Sequence, residues 1–310
     1  MTNEVNGEWL SILKEGGLPQ ILLGPAGNAI SRLIGTSIEI PASYIDGFSQ
    51  RIKDKNEAKS KLFQALANKA IDYAIDEPEN VKRVLNSIVS KELKREQNKI
   101  AVSKIALMDL LQRSPPDGGV EPSEQFMTNF ERAAEDAVEP DIRTMFGKLL
   151  AGEIRTPNSV SAATMNFVSL LDAEVATAIN RVFSSCWMDV AILNTISPLL
   201  TVADSTYLEQ VGFWTAGRSV QLIYDEQGTL IKLPRKEKGF VALGEQGSYV
   251  NFDIAILSKA GRELLNILDP PYNFDAMGLY FQQKGATKFY SGRCTYLEGG
   301  VSVSFDVNYY

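Results

Sequence analysis

Hydrophobic positions along the chain change their spacing twice. Residues 17 to 41, "GLPQILLGPAGNAISRLIGTSIEIP", set Ile21, Leu22, Leu23, Ile30, Leu33, Ile34 and Ile38 among small residues, with Arg32 and Glu39 as the only charges. A segment of this kind docks on the protein's own core or another subunit, or lies at a membrane surface through residues 17–40. From Pro41 the steps become helical: Tyr44, Ile45, Phe48, Ile52, then Leu62, Phe63, Leu66, Ala70, Ile71 and Ala74. Pro78 breaks this pattern. A second long helix is predicted over "ENVKRVLNSIVSKELKREQNKIAVSKIALMDLLQ", with Val81, Val84, Leu85, Ile88, Val89 and Leu93 on one side and Ile100, Ile105, Leu107, Met108 and Leu111 further on. Two long helices joined by a short turn predict an antiparallel hairpin.

"RSPPDGGVEPSEQ" (113–125) holds three Pro and two Gly and no apolar period, so it reads as a hinge or junction. After it, Ser123 is placed to cap a helix with Glu124 in its first turn and Phe126, Met127, Phe130 and Ala134 on one face. The following helix starts at Pro140, whose missing N–H costs nothing there. Ile142, Met145, Phe146, Leu149 and Leu150 recur at i, i+3, i+4, i+7 and i+8 and form one apolar stripe, the predicted structural core. Gly147 interrupts this helix, which favours close helix packing or marks the approach of a ligand. Pro157 forbids continuation, and Asn158 or Ser159 is expected to cap "VSAATMNFVSLLD", with Phe167, Val168 and Leu171 inward.

In the last third the period shortens to two. "SVQLIYDEQGTLIKLP" reads as a hairpin around Glu226-Gln227-Gly228, and "GFVALGEQGSYVNFDIAIL" adds strand material. "SKAGRELLNILDPP" is a helix capped by Ser258 and stopped by Pro270, and this strand–Ser–helix order is winged-helix-like. "KFYSGRCTYLEGGVSVSFDVNYY" closes the chain as a hairpin turned at Glu298-Gly299-Gly300, with Tyr309 and Tyr310 placed to seal its sheet.

Composition narrows the chemistry. The 310 residues contain no His, which removes Ser-His-Asp and Cys-His nucleophiles, the imidazole acid–base pair and His-ligated zinc. Cys186 and Cys294 are too far apart in sequence for metal-ligand spacing. The net charge of −7 divides into +2 over residues 1–113 (16 basic, 14 acidic) and −9 over 114–310 (15 basic, 24 acidic), so nucleic-acid contact would have to be local. Local basic groups exist: five basic and two acidic residues lie in 50–61, and seven basic and two acidic in 82–104. Lys91, Lys94, Arg95 and Lys99, with Lys259 and Arg262 near the C-terminal helix, are the candidate nucleic-acid contacts. Glu135, Asp136, Glu139 and Asp141 either form a hard-cation site or stabilise a helix N-terminus. "GPAG" and "GEQG" lack the context of a phosphate loop. Lys148 and Glu153, at i and i+5, do not align as an acid–base pair on one face. No stretch has about 18 consecutive apolar residues, and the first residues lack a basic signal region, so a cytoplasmic protein is expected.

"GNAISRLIGTSIEIPASYIDGFSQRIKDKNEAKSKL" with "FERAAEDAVEPDIRTMFGKLLAGEIRTPNSVSAATMNFVSLLD" resembles a bacterial and prophage family designated domain of unknown function 2806. The likeness covers most of residues 25–172, continues weakly to about residue 268, and is most specific at "GKLLAGEI". "MFGKLLA" is more distantly similar to the "LWAxLLA" helix of abortive-infection alpha proteins, with Phe146 where Trp is frequent. The first resemblance brings no established catalytic residues. It implies a prophage or defence setting.

The expected architecture is α+β: a long helical hairpin and a compact helical middle, then a smaller C-terminal domain of antiparallel strands with one or two helices. Expected boundaries are 1–113, 114–200 and 201–310. The expected function is non-enzymatic, cofactor-free and metal-free, acting by protein association as a homo-oligomer or with a phage or host protein. The alternatives are a DNA-binding regulator using the basic helix and the winged-helix-like unit, and a membrane-acting effector using residues 17–40.

Overall fold

The computed structural model describes residues 24–34, 61, 65, 78–116, 119–187, 189–196, 200–235, 238–297 and 300–308, with side chains described over fewer of these. The first arm of the expected hairpin, residues 41–77, lies outside the described residues apart from Lys61 and Ala65. The fold is α+β, with helices first and strands later, and it divides into two compact units, residues 1–169 and 170–310.

The first unit contains α1 (Pro25–Leu33), α2 (Pro78–Gln112), α3 (Glu124–Glu135), α4 (Pro140–Arg155) and α5 (Ala162–Ser169). Ser123 caps α3, its Oγ accepting from the Phe126 N–H at 3.1 Å, and Pro140 occupies the start of α4. Ile142, Met145, Phe146, Leu149 and Leu150 are all buried. At roughly 1.5–3 kcal/mol for each large apolar side chain removed from water, this stripe is the main cohesive surface of α4. Phe130 of α3 meets Phe146 edge-on at 5.7 Å and stacks on Phe126 at 5.4 Å.

Against this stripe, α2 does not use the row of apolar residues that its sequence suggests. Its buried positions are Asn98, Val102, Ser103, Ala106, Asp109 and Leu110, whereas Ile100, Leu107, Met108 and Leu111 are half-buried. The reason lies in the partner helix. Arg143 Nη2 donates to Asn98 Oδ1 at 2.7 Å, and Arg155 Nη1 donates to Asp109 Oδ1 at 2.5 Å. Between these clamps a Cβ built on Gly147 would lie 2.5 Å from Ile105 Cγ2 and 3.0 Å from the Val102 carbonyl oxygen. Contacts that advance in the same direction along both helices make α2 and α4 parallel neighbours, with Gly147 at their closest approach. Parallel neighbours need a long return connection, and 113–139 with α3 supplies it.

The turn after α4 departs from expectation. The helix runs to Arg155, and α5 is capped by Ser161, whose Oγ accepts from the Thr164 N–H at 3.3 Å, not by Asn158 or Ser159. Those residues instead belong to a turn in which Asn158 has φ 66°. Because α5 ends at Ser169, Leu171 is not on it, and Phe167 is only half-buried; Thr164, Met165 and Val168 face inward.

The second unit contains α6 (Ala173–Phe183), β1 (Cys186–Trp187), β2 (Val190–Ile192), a 3-10 turn (Leu193–Thr195), α7 (Val202–Gln210), β3 (Trp214–Ile223), β4 (Thr229–Arg235), β5 (Lys238–Leu243), β6 (Tyr249–Leu257), α8 (Lys259–Leu268), α9 (Phe274–Gln283), β7 (Lys288–Leu297) and β8 (Gly300–Asn308). Two antiparallel sheets form, ordered β1-β2-β6-β3 and β4-β5-β7-β8. Phe252 of the first sheet and Phe240 and Phe289 of the second converge on Phe281 of α9, with ring centroids 5.3–5.4 Å from it. β7 and β8 pair as a hairpin through Leu297 and Gly300, and Ser258 caps α8.

β3 and β4, expected to be a hairpin, do not pair with each other. The turn is present, closed by Gly228 N–H to the Asp225 carbonyl at 2.9 Å, but β3 pairs with β6 and β4 with β5. Gly228, at φ +70°, accepts from the Gly244 N–H and lies so close to that backbone that a Cβ would fall 2.5 Å from the Gly244 oxygen. This close approach directs the chain from one sheet to the other. Among the described residues, 201–310 hold three helices where one or two were expected. Of these only α8 was read from the sequence; α7 buries only Leu208 and is specified by a capping box between Thr201 and Asp204, and α9 is capped by Asn273.

Gly147→Ala is expected to destabilise the first unit by about 1–3 kcal/mol, the range for overpacking a tight contact, although Ala is the better helix former. Gly24→Ala, where a Cβ meets nothing within 4 Å, serves as the control in denaturant unfolding.

Candidate functional site

The charged residues singled out in the sequence are placed by the same helices. Arg95 and Lys99 lie one turn apart on α2 and face the end of α3. Arg95 Nε is 3.9 Å from both Glu135 and Asp136 and its Nη1 donates to Glu92 at 3.1 Å; Lys99 Nζ is 2.9 Å from Glu96 and 3.7 Å from Glu135. These are short-range neutralisations, and they spend on carboxylates the charge that a phosphate backbone would need. Lys91 and Lys94 are exposed. In the second unit Lys259 is 3.8 Å from Glu263, and Arg262 donates to the Leu257 carbonyl at 3.2 Å. The six candidate contacts thus fall in two units, four on α2 and two on α8, and most are engaged with their own neighbours.

The acidic cluster is divided in the same way. Glu135 and Asp136 face Arg95, while Asp141 lies in the first turn of α4, where the helix dipole favours it. Among the described residues no group of three or more Asp, Glu or Cys is arranged to hold a metal ion. Lys148 is half-buried and Glu153 is buried.

Sequence reasoning gave Glu153 no role of its own, yet among the described residues of the first unit it is the most completely enclosed carboxylate. One oxygen accepts from the Asn158 N–H at 2.7 Å, and the other from the Val160 N–H at 3.0 Å and from Ser159 Oγ at 3.4 Å. An ionised carboxylate is tolerated in such a place because several donors replace its water. Its chemistry is to fix the turn after α4. Near it Asp109 receives Arg155 and also Arg113, at 2.9 Å, and Arg155 reaches the Arg113 carbonyl at 3.3 Å. On the other side, Asn98 donates to the Glu135 carbonyl at 2.7 Å and Arg143 to the Ala137 carbonyl at 2.9 Å, so that the end of α3 is capped by side chains of α2 and α4.

The apolar N-terminal segment is inward-facing where it is described. Ala26, Ala29, Ile30, Leu33 and Ile34 are buried, and Arg32 forks to Glu124 and Glu131 while Asn28 donates to Glu121 at 2.5 Å. The Arg32 hydrogen bonds hold the Glu124 carboxyl below its ordinary range and keep the guanidinium firmly charged. The apolar side chains of residues 24–34 are therefore already committed to protein; residues 17–23 and 35–40 lie outside the described residues. Among the described residues no helix is long and apolar enough to cross a membrane.

In the second unit, Asp172 caps α6 by accepting from the Val175 N–H at 2.8 Å and receives the Tyr207 hydroxyl at 3.0 Å, while Asp204 completes the α7 capping box and meets Arg181 at 3.0 Å. These hydrogen bonds, the Val175 amide first for Asp172 and the Thr201 hydroxyl first for Asp204, lower both carboxyl pKa values and raise that of the Tyr207 phenol through Asp172. Cys186 is buried, its Sγ donating to the Val182 carbonyl at 3.4 Å.

Two outcomes are expected from this network. Glu153→Gln replaces an acceptor by a donor opposite backbone N–H groups, and should cost about 1–3 kcal/mol in denaturant unfolding, with protease sensitivity appearing at 156–160. Because Asp172 and Asp204 are more acidic folded than unfolded, their contribution is complete above the unfolded pKa and is lost as pH falls through the folded values. The melting temperature should therefore hold from pH 7 to about 5 and decline below about 4, with a shallower decline in Asp172→Asn/Asp204→Asn.

No curated protein and no solved structure matches the chain. Residues 82–228 match the family model described as "Protein of unknown function (DUF2806)", a span that begins in α2, contains the whole α3–α4 body and ends at the Gly228 crossing between the sheets.

Proposed function

We propose that the protein works without catalysis, by binding other protein, in a prophage or phage-defence setting. The observation that carries the reading is an exposed apolar pair on the first part of α2: Val84 and Ile88, one turn apart, are 52% and 47% exposed, with Leu85 and Val89 half-buried beside them. Apolar side chains at this spacing on a long helix are the usual form of a helix-mediated protein contact. The chemistry of the chain supports the same choice. With no His in the sequence, proton transfer near neutral pH would fall to carboxylates, Lys or Tyr, and Glu153, Asp109, Asp172 and Asp204 are each held by hydrogen bonds that shape turns, clamps and caps. The prophage or defence setting rests on the family resemblance alone. DNA binding through α2 is the weaker reading because Arg95 and Lys99 are matched by acids.

The test is phage plating on cells with and without the gene, across a broad panel. Expression should lower plating of at least one phage by tenfold or more, and Val84→Glu/Ile88→Glu should restore plating while circular dichroism and melting remain unchanged. Equal plating on both strains across the panel contradicts the defence reading.

A further inference from the structure

Among the described residues β3 is an edge strand, with no strand paired to its outward side. The first sheet ends at β1 on one side and β3 on the other. β1 is only two residues long, and β4, an edge of the second sheet, carries Lys232, Pro234 and Arg235, all of which discourage further pairing. β3 has ten residues and a single charge, Arg218. Beyond the irregularity at Thr215/Arg218 its register is regular, from Arg218↔Ile254 to Ile223↔Tyr249.

The direction of its backbone groups follows from the neighbours. Tyr224 N–H donates to the Ser248 carbonyl at 3.0 Å, which makes 224/248 a hydrogen-bonded pair, and such pairs alternate along an antiparallel ladder. Asn251 and Asp253 of β6 must then turn their groups away from β3, and they do: the Asn251 carbonyl accepts the Tyr280 hydroxyl at 2.6 Å and the Asp253 N–H donates to Asn194 Oδ1 at 2.6 Å. Their partners Gln221 and Ser219, and Ile223 in the same phase, therefore direct N–H and C=O away from β6, toward the free edge. Ile223 and its cross-strand neighbour Tyr249 add an exposed apolar pair, 59% and 56% accessible.

We infer that this edge pairs with β3 of a second copy of the chain, antiparallel about a two-fold axis at Gln221. The inference deepens the protein-association reading by naming a surface and a partner, and rests on it. The edge matches itself in register and backbone phase without opposing like charges. With the axis at Gln221, Ser219 stands opposite the second copy's Ile223, Val220 opposite its Leu222, and Gln221 opposite its own equivalent. Arg218, the strand's only charge, stands opposite the uncharged Tyr224, so no like charges meet. About six main-chain hydrogen bonds form across the axis, and the two sheets become one.

Symmetry supplies the test, made on the full chain. Residues paired on the axis have Cα atoms about 5.5 Å apart, within disulfide reach. Gln221→Cys should give a covalent dimer on a non-reducing gel under mild oxidation, at least fivefold above both Thr215→Cys and the unsubstituted chain with its own Cys186 and Cys294. By light scattering the unsubstituted chain should be a dimer and Gln221→Pro a monomer with unchanged circular dichroism, since proline there removes an N–H that β6 does not use. A monomeric unsubstituted chain at all concentrations, or no crosslinking of Gln221→Cys above the controls, overturns the inference. Plating separates the two readings: protection by a monomeric chain removes only the β3 surface, whereas a crosslinked dimer without protection removes only the defence role.

Discussion

The contact between Gly147 and the Ile105–Val102 stretch of α2 is the constraint on which the first unit depends. A side chain at residue 147 would collide with both the Ile105 side chain and the Val102 carbonyl, so the two backbones approach as closely as they do only because none is present. Once the helices are that close, polar groups on either side fall into reach: Asn98 with Arg143 at one end and Asp109 with Arg155 at the other. The apolar stripe from Ile142 to Leu150 supplies the cohesion and is non-directional. The clamps and the glycine supply the direction, and they hold the helices parallel at one longitudinal register.

The parallel arrangement has consequences for the chemistry of the chain. It brings the end of α3 against α2, where Glu135 meets Arg95 and Lys99 and Asp136 meets Arg95, while Glu153 is held by the turn that follows α4. Of the charged residues that look like a nucleic-acid stripe or a metal cluster in sequence, Arg95 and Lys99 join Glu135 and Asp136 in a salt network, while Lys91 and Lys94 stay exposed. The second unit follows the same logic with different means. Its turns and caps are set by Asp172, Asp204, Ser258 and Asn273, and its interior by rings gathered on Phe281. Among the described residues the outward features include the β3 edge and a few apolar side chains, Val84, Ile88 and Ile223 among them.

Local signals in the sequence reached the structure well. Ser123 and Ser258 as caps, Pro140 as a helix start, and the pairing of β7 with β8 as a hairpin through Leu297 and Gly300 are short-range physics, decided within a few residues. The errors came from partners distant in sequence. The buried face of α2 contains Asn98 and Asp109 because Arg143 and Arg155, 45 and 46 residues away, complete them. Asn158 and Ser159 looked like caps because nothing local shows that Glu153 would claim that turn. β3 and β4 looked like a hairpin because the turn chemistry between them is sound, yet each finds its ladder with a strand further along the chain, β6 and β5, with Gly228 held against Gly244. α7 escaped notice since it buries a single side chain, although its Thr201/Asp204 capping box was there to be read.

A double-mutant cycle between Gly147→Ala and Ile105→Gly, which removes both the Cγ2 and the Cβ that a methyl at 147 would strike, tests the central contact most directly. If the added methyl is harmful because it strikes Ile105, truncating that side chain makes room for it, and the double variant should be more stable than the sum of the two single losses by about 1 kcal/mol or more. Strictly additive losses would mean that residue 147 and Ile105 do not meet, and would contradict the account of how α2 and α4 are held.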